Sequence, residues 1–204
     1  MVWLLISTGF TGAFTLMFLA RTVQHKFGTA RQILAHFSPA GGCCEAIIQE
    51  IKKAKREILV QAYSFTSKDI SQALVDAKKR RVKVDIILDG SNEREQYTEL
   101  HFFLEHGLEP QIDAHHPIAH NKIMIIDGKT IITGSFNFTN QAEKENAENL
   151  LIIKGHSELV GIYKDRFHHH KEHSRAAQPK QHAPTAAAQP QPHHGLFHFH
   201  TKAA

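Results

Sequence analysis

The sequence predicts an α/β fold in which a mixed, mostly parallel central sheet is covered by helices on both faces. Between residues 32 and 170, short apolar runs alternate with segments whose apolar residues recur at helical spacing. The apolar run at 82–88 is typical of a buried strand, and turn residues separate it from its neighbours. A chain of 204 residues has room for one such domain and for extensions.

Each predicted element follows from a local pattern. The first helix carries basic residues towards its end, where they complement the helix dipole, and Ser67 caps the second helix. Gly107 ends the third helix, and the Asp127-Gly128 turn joins two strands. We predict strands at 33–37, 57–63, 82–88, 110–113, 123–126, 130–133 and 150–153, and helices at 43–55, 67–80, 93–106 and 157–169.

One stretch carries residues that suit phosphate chemistry. His120 and Lys122 stand two apart near the start of the strand at 123–126, so their side chains project to the same face. A neutral imidazole is a nucleophile near pH 7, and the neighbouring ammonium supplies positive charge. Ser135 and Asn137 follow the returning strand and add hydrogen-bond donors. Such a set suits a phosphodiester, whose charged oxygens must be held during attack at phosphorus.

The spacing of these residues resembles the signature of the phospholipase D superfamily, His-x-Lys-x4-Asp followed by Gly-Ser-x-Asn. The wider segment 37–151 is similar to the small single-motif members, which are bacterial endonucleases and the mitochondrial cardiolipin hydrolase (Zucchini-type) nucleases. The resemblance implies an α/β/α sandwich. The matching positions are His120, Lys122, Asp127, Gly134, Ser135, Asn137, Glu148 and Asn149.

The resemblance implies a two-step hydrolysis that needs neither a metal nor another cofactor. His120 of one subunit attacks phosphorus and forms a phosphohistidine. His120 of a second subunit protonates the leaving oxygen and then deprotonates water. Lys122 and Asn137 hold the non-bridging oxygens, and Glu148 accepts the other imidazole N–H, which orients the ring.

Other residues of the motif are assigned supporting roles. Ser135 is expected to support the phosphate or the loop, and Gly134 is interpreted as structural. Asp127 lies more than about 10 Å from His120 along an apolar strand, at about 3.3 Å per residue. We therefore interpret Asp127 as structural, holding either the turn or residues 134–135.

The histidines before the motif allow two interpretations. His116, or alternatively His115, is expected to line the phosphate groove. A metal site built from His115, His116 and His120 is less favoured, because Asp113 is the only acidic or cysteine residue near them at ligand spacing.

A single copy of the motif predicts a homodimer. Larger members of the family carry two copies that face each other, and a chain with one copy reproduces that arrangement by pairing across a twofold axis. We expect single-stranded DNA or RNA as the substrate, with phospholipid headgroups as the alternative. The formal charge of +4 is compatible with nucleic acid or an anionic membrane, and residues 78–83 are the candidate basic surface.

The N-terminal segment 1–20 is almost uncharged and is long enough to span a bilayer as a helix. A retained anchor, followed by a linker at 21–31, is favoured over a cleaved signal because the start lacks basic residues. The basic residues after the segment favour a cytoplasmic domain, whereas bacterial members of the family are often exported or periplasmic. The sequence therefore does not decide on which side of the membrane the catalytic domain lies.

The catalytic domain is predicted at 32–170, and the segment that follows it differs from it in composition. Residues 171–204 are predicted to be a disordered tail rich in His, Pro, Ala and Gln, in which histidines bind metal only adventitiously.

Cys43 and Cys44 are adjacent and give no zinc spacing. We interpret them as buried small residues at a helix start, with an intersubunit disulfide as the alternative.

Overall fold

The computed structural model of the chain describes residues 30–39 and 41–178. The predicted anchor 1–20, nearly all of the linker 21–31 and the tail beyond 178 lie outside these residues. Within them, the strands are β1 Gln32–Ser38, β2 Glu57–Ala62, β3 Lys83–Asp89, β4 Gln111–Asp113, β5 Lys122–Ile126, β6 Thr130–Gly134, β7 Glu148–Lys154 and β8 Arg175–Ala176. The helices are α1 Cys43–Lys53, α2 Lys68–Lys79, α3 Leu100–Glu105, α4 Asn140–Lys144 and α5 Ser157–His173, with a 3-10 turn at Gly90–Glu93.

The strands form one mixed sheet in the order β1-β7-β6-β5-β2-β3-β4-β8. The α/β class and the mixed sheet are confirmed, but the expectation that most strands run parallel is wrong. Only the β2–β3 and β3–β4 pairs are parallel, and the other five described pairs are antiparallel. Parallel pairing occurs where a helix crosses over between neighbouring strands, as α2 does between β2 and β3, whereas the tight turn at 127–129 makes β5 and β6 antiparallel.

Helices cover both faces of the sheet. On one face, α1 and α2 pack over a core that includes Phe65, whose ring centroid lies 5.1 Å from that of Phe103 and 5.4 Å from that of Phe138. On the other face, Val160 and Phe167 of α5 pack against the sheet. The strand residues beneath α5 are Leu59, Ile87, Ile125, Ile131 and Ile153. The sandwich thus fixes the edge of the sheet from which the site residues project.

The segment predicted as a helix at 93–106 is helical only at Leu100–Glu105. Side chains in the preceding loop hold the backbone in another path: the Asn92 amide donates to the Tyr63 carbonyl at 2.6 Å, and Thr98 donates to Asn92 at 3.0 Å. The backbone N–H of Glu99 donates to the Phe65 carbonyl at 3.0 Å. These hydrogen bonds outweigh the local helical pattern. Sequence periodicity does not show such contacts between distant residues.

The ordered domain extends beyond the predicted boundary at residue 170. Helix α5 continues to His173, and β8 then pairs antiparallel with β4. The Arg175 guanidinium binds both oxygens of Glu93, at 2.8 and 2.6 Å, which anchors this last strand. Composition alone predicts disorder here because backbone pairing and one bidentate ion pair, rather than apolar side chains, hold the segment. No helix in the described part of the chain is long and apolar enough to cross a bilayer.

The two cysteines lie at the start of α1 as free thiols. Cys43 is fully buried, and burial together with the Glu143 carboxylate raises its pKa to about 11. Cys44 is half-buried, with its sulfur 3.4 Å from the Ser67 hydroxyl. These positions agree with the interpretation of both residues as small side chains packed at a helix start.

Candidate active site

His120 lies immediately before β5, at the sheet edge where β2 ends. Because β5 runs antiparallel to β2 with Lys122 opposite Ala62, the residue after β2, Tyr63, reaches the segment that carries His120. The Tyr63 N–H donates to the Asn121 carbonyl at 2.8 Å, and the Tyr63 and His120 ring centroids are 4.5 Å apart. The exposed imidazole is therefore supported on one side by an aromatic ring and open on the other.

Lys122 lies on the same side of the chain as His120, as the strand spacing predicts. Its Nζ donates to the His120 carbonyl at 3.0 Å and lies 5.0 Å from the centroid of the Tyr63 ring. The side chain is only 7% exposed, and burial lowers the pKa of its ammonium, while the Glu148 carboxylate opposes that change. This arrangement places a cation close to the imidazole, which suits an anionic group such as a phosphate.

Glu148 begins β7, two strands away from β5. Its carboxylate accepts a hydrogen bond from the Asn146 amide at 3.1 Å, and its charge partly offsets the burial that lowers the pKa of Lys122. Among residues 30–39 and 41–178, no hydrogen bond joins Glu148 to His120, so its orientation of the imidazole remains a prediction. The structure brings Glu148 to the site as the counter-charge of Lys122.

The end of β6 is locked to β7 by Gly134 and Ser135. A Cβ on Gly134 would lie 2.2 Å from the Asn149 carbonyl oxygen, and its φ of +152° also disfavours a side chain. The Ser135 hydroxyl accepts hydrogen bonds from the backbone N–H and the side-chain amide of Asn149, at 3.0 and 3.2 Å. Both residues therefore hold the loop, in agreement with the supporting roles assigned to them.

Asn137 follows in the same loop and is half-buried. Its side-chain oxygen is buried, and within the described part of the chain it has no hydrogen-bond partner. Buried polar atoms are nearly always paired, and the exceptions require an explanation such as a functional role. The atom is an acceptor, so the group that would pair with it is a donor such as water.

Asp127 lies at the opposite end of β5 from His120. Its carboxylate accepts hydrogen bonds from the backbone N–H groups of Lys55, Arg56 and Glu57, at 2.9, 2.7 and 3.1 Å. Burial alone would raise its pKa, but these N–H donors outweigh burial and hold the pKa below its ordinary value. The structural role is thus visible: Asp127 fastens the β5–β6 turn to the start of β2, and not to residues 134–135.

Replacing Asp127 by Asn is expected to lower the free energy of unfolding at pH 7 by about 1–3 kcal/mol. Since the folded-state pKa of Asp127 is depressed, its stabilisation is present above the unfolded value of about 3.9 and is lost as pH falls through the folded pKa. Urea unfolding of both proteins at pH 7 and pH 3 measures this. A stability difference that stays the same at both pH values would contradict the assignment.

His116 contacts the carboxylate of Asp113. Its Nδ1 lies 3.0 Å from an oxygen of Asp113, whose buried carboxylate also contacts His170 and His173. The Asp113 carboxylate therefore holds the ring of His116 beside β4 and α5, and its place in the phosphate groove stays a prediction. Helix α5 supplies two partners that are more than fifty residues distant in sequence, which local spacing could not indicate.

Tyr63 is the site residue that the sequence analysis missed. It contacts both His120 and Lys122, yet it follows β2 and belongs to no motif segment. Phe65, two residues further along the chain, is by contrast fully buried in the core. Knowing that β2 lies beside β5 would have identified Tyr63, because strand pairing brings the end of β2 to the start of β5.

The chain is similar in sequence to known proteins. Residues 47–171 match the family described as cardiolipin synthase, PLD-like domain. A curated phospholipase D from Rickettsia typhi is 43% identical over 124 residues, which cover 61% of this chain and 61% of the relative. A mitochondrial cardiolipin hydrolase from Chlamydomonas reinhardtii is 29% identical over 114 residues, 56% of this chain and 51% of that protein.

A solved structure shares the fold. Nuc from Salmonella typhimurium, described as a phospholipase D family member, superposes with a TM-score of 0.69 and 33% identity. The match covers 72% of this chain and 99% of Nuc. The chain aligns with about three-fifths of the length of its curated Rickettsia relatives, and with nearly all of Nuc.

Proposed function

The chain belongs to the phospholipase D superfamily, and from this premise we propose that it hydrolyses phosphodiester bonds with His120 as the nucleophile. The observation that carries the proposal is the contact of both His120 and Lys122 with the Tyr63 ring. This contact holds a solvent-exposed imidazole beside a nearly buried cation. A phosphodiester bound to the cation presents its phosphorus to the imidazole.

The reaction proceeds in two displacements. A nitrogen of His120 bonds to phosphorus as the bond to the leaving oxygen breaks, and that oxygen takes a proton from a general acid. Water then attacks the phosphohistidine, gives its proton to the same group and releases His120. Lys122 and the Asn137 amide bind the non-bridging oxygens and stabilise the charge that builds up in each transition state.

A second copy of the chain supplies the general acid. One imidazole cannot act at the same time as nucleophile and as acid, and the chain holds one such motif. Two apolar side chains near the site are open to solvent: Ile118, two residues before His120, is 62% exposed, and Phe37, opposite Asn149 in the sheet, is 64% exposed. A twofold dimer that covers them brings two His120 side chains together.

Nucleic acid, DNA or RNA in single-stranded form, is the proposed substrate. The connections at the His120 edge of the sheet carry exposed Lys68, Arg94 and Lys144, which can contact a polyanion, although exposed Asp69, Glu95 and Glu145 lie beside them. The surface at residues 78–83 lies elsewhere, because Lys83 pairs with Glu57 at the opposite end of β2 from Ala62. That basic surface is therefore unsuited to guide a nucleic-acid strand into the site.

Phospholipid headgroups are the second candidate substrate. The names of the curated Rickettsia relatives, phospholipase D at 43–45% identity, favour it. The same two displacements would cleave a lipid phosphodiester at a bilayer surface.

Cleavage assays distinguish the two candidates. The full chain is incubated with single-stranded DNA, with RNA, and with phosphatidylcholine or cardiolipin vesicles, with EDTA present throughout. We expect nucleic-acid cleavage that falls steeply between 50 and 200 mM salt, an interval over which phosphate contacts weaken by orders of magnitude. His120→Ala removes this activity, and the matched control His106→Ala, an exposed histidine on the C-terminal side of α3, retains it.

Two results would overturn parts of the proposal. Cleavage of vesicles alone would replace nucleic acid by phospholipid as the substrate. Activity that disappears in EDTA and returns with a divalent ion, equally in the wild type and in His116→Ala, would contradict the phosphohistidine mechanism itself.

A further inference from the structure

A cluster of three histidines surrounds one buried carboxylate outside the active site. Asp113 ends β4 and is fully buried, and His170 is 6% exposed. One oxygen of Asp113 lies 3.0 Å from Nδ1 of His116, 2.9 Å from Nδ1 of His170 and 3.5 Å from Nε2 of His173. One potential ligand atom from each of these four residues lies within 4.8 Å of all the others.

The donor set fits a tetrahedral zinc ion. Imidazole nitrogens and a carboxylate oxygen bind Zn²⁺ at about 2.0–2.2 Å, so their mutual distances in a tetrahedral site are about 3.4 Å. From the limit of 4.8 Å, the longest separations would contract by about 1.4 Å at most, while the Asp113–His116 and Asp113–His170 separations of 3.0 and 2.9 Å would lengthen by about 0.5 Å. Four protein ligands also fill the coordination sphere, as in structural rather than catalytic zinc sites.

Hydrogen bonds alone are a poor explanation of the cluster. The Asp113 carboxylate already accepts the backbone N–H groups of His115 and His116, at 3.2 and 3.3 Å, before any ring is counted. With the three rings this makes five donors around a carboxylate that has about four lone-pair sites, and the ring centroids are only 5.0–5.3 Å apart. A divalent cation satisfies all three rings and the carboxylate at once.

We propose that Asp113, His116, His170 and His173 form a structural Zn²⁺ site. It joins the end of β4, the loop before β5 and the last turn of α5. That loop continues to Ala119, whose N–H donates to Asp89 at 2.7 Å, and then to His120. The ion therefore ties the start of that loop to α5, whereas the bond from Ala119 to Asp89 holds the part next to His120 without it.

Metal binding to the full chain tests the proposal. Zn²⁺ affinity is measured by competition with a chromophoric chelator, and Co²⁺ is used as a spectroscopic probe, because four-coordinate cobalt absorbs far more strongly in the visible than the hydrated six-coordinate ion. We expect one tight Zn²⁺ per chain, an intense cobalt spectrum, and a Tm increase of about 5–10 °C at free zinc 100-fold above Kd.

Variants separate this site from the other histidines of the chain. His116→Ala and His170→Ala each should lower zinc affinity by more than about 100-fold, since loss of an outer-shell partner alone costs about 10–100-fold. The controls are His168→Ala, an exposed neighbour on α5, and the double variant His193→Ala/His194→Ala, and both should keep the tight site. His116 is 37% exposed, so its variant stays informative even where loss of buried His170 impairs folding.

Three outcomes would overturn the proposal. They are the absence of tight binding in the wild type, equal binding in the wild type and His116→Ala, and a cobalt spectrum of the hydrated six-coordinate kind. These readouts need no substrate, so their failure leaves the proposed hydrolysis untouched, and a failed cleavage assay leaves the zinc site untouched.

Discussion

Replacing His120 by Ala is expected to lower kcat for phosphodiester hydrolysis by at least about 10⁴-fold, because no other group in the site can form the covalent bond to phosphorus. Folding should survive, since the imidazole is exposed and its contact with Tyr63 lies at the surface edge of the sheet. Steady-state hydrolysis of bis(4-nitrophenyl) phosphate, with thermal unfolding of the same samples, measures both effects.

The proposed sharing of one site by two chains allows a second, sharper version of this test. Mixing the wild type with excess His120→Ala protein under exchange conditions should lower activity below the value for the wild-type chains alone, because each mixed dimer lacks one imidazole. Activity within about threefold of the wild type in the variant itself would contradict the nucleophile assignment. Activity that simply follows the amount of wild-type chain would contradict the shared site.

Replacing Lys122 by Met should lower kcat by about 10²–10³-fold, the usual cost of removing one charge-stabilising donor from a transition state. Met keeps the apolar stem against Tyr63 while removing the ammonium 3.0 Å from the His120 carbonyl. The free energy of unfolding should change little, since the lost cation was nearly buried and costly to desolvate. Kinetics and urea unfolding of the variant test both statements.

Lys122→Arg is the conservative control for this prediction. It restores the charge but not the compact ammonium, so we expect activity between those of the Met variant and the wild type. Met and Arg variants that are equally impaired would mean that the shape of the lysine side chain, and not its charge, matters. A Met variant as active as the wild type would exclude Lys122 from phosphate binding.

Helix caps and helix ends were predictable from the sequence, because each depends on a few neighbouring residues. The Ser67 cap is present, with its hydroxyl accepting the Ile70 N–H at 3.4 Å, and Gly107 takes a φ of +71° after α3. Strand direction was not predictable, because it depends on which strands become neighbours across the whole chain. The sheet therefore contains more antiparallel pairs than alternation along the sequence indicates.

The candidate site was likewise predictable where its residues are close in sequence, and not where they are distant. His120, Lys122, Ser135 and Asn137 lie in two short segments whose spacing is itself the signal, and the structure places both segments at one edge of the sheet. Tyr63 and the partners of Asp113 reach their places only through strand pairing and helix packing. Long-range contacts of this kind leave no periodic trace in sequence.

The stereochemistry at phosphorus tests the central claim most directly. A chiral phosphorothioate diester substrate is hydrolysed in ¹⁸O-labelled water, and the configuration of the product is determined. Two in-line displacements through a phosphohistidine at His120 predict retention, because each step inverts the phosphorus once. Inversion would show that water attacks the diester in a single step, and it would contradict the role of His120 as nucleophile.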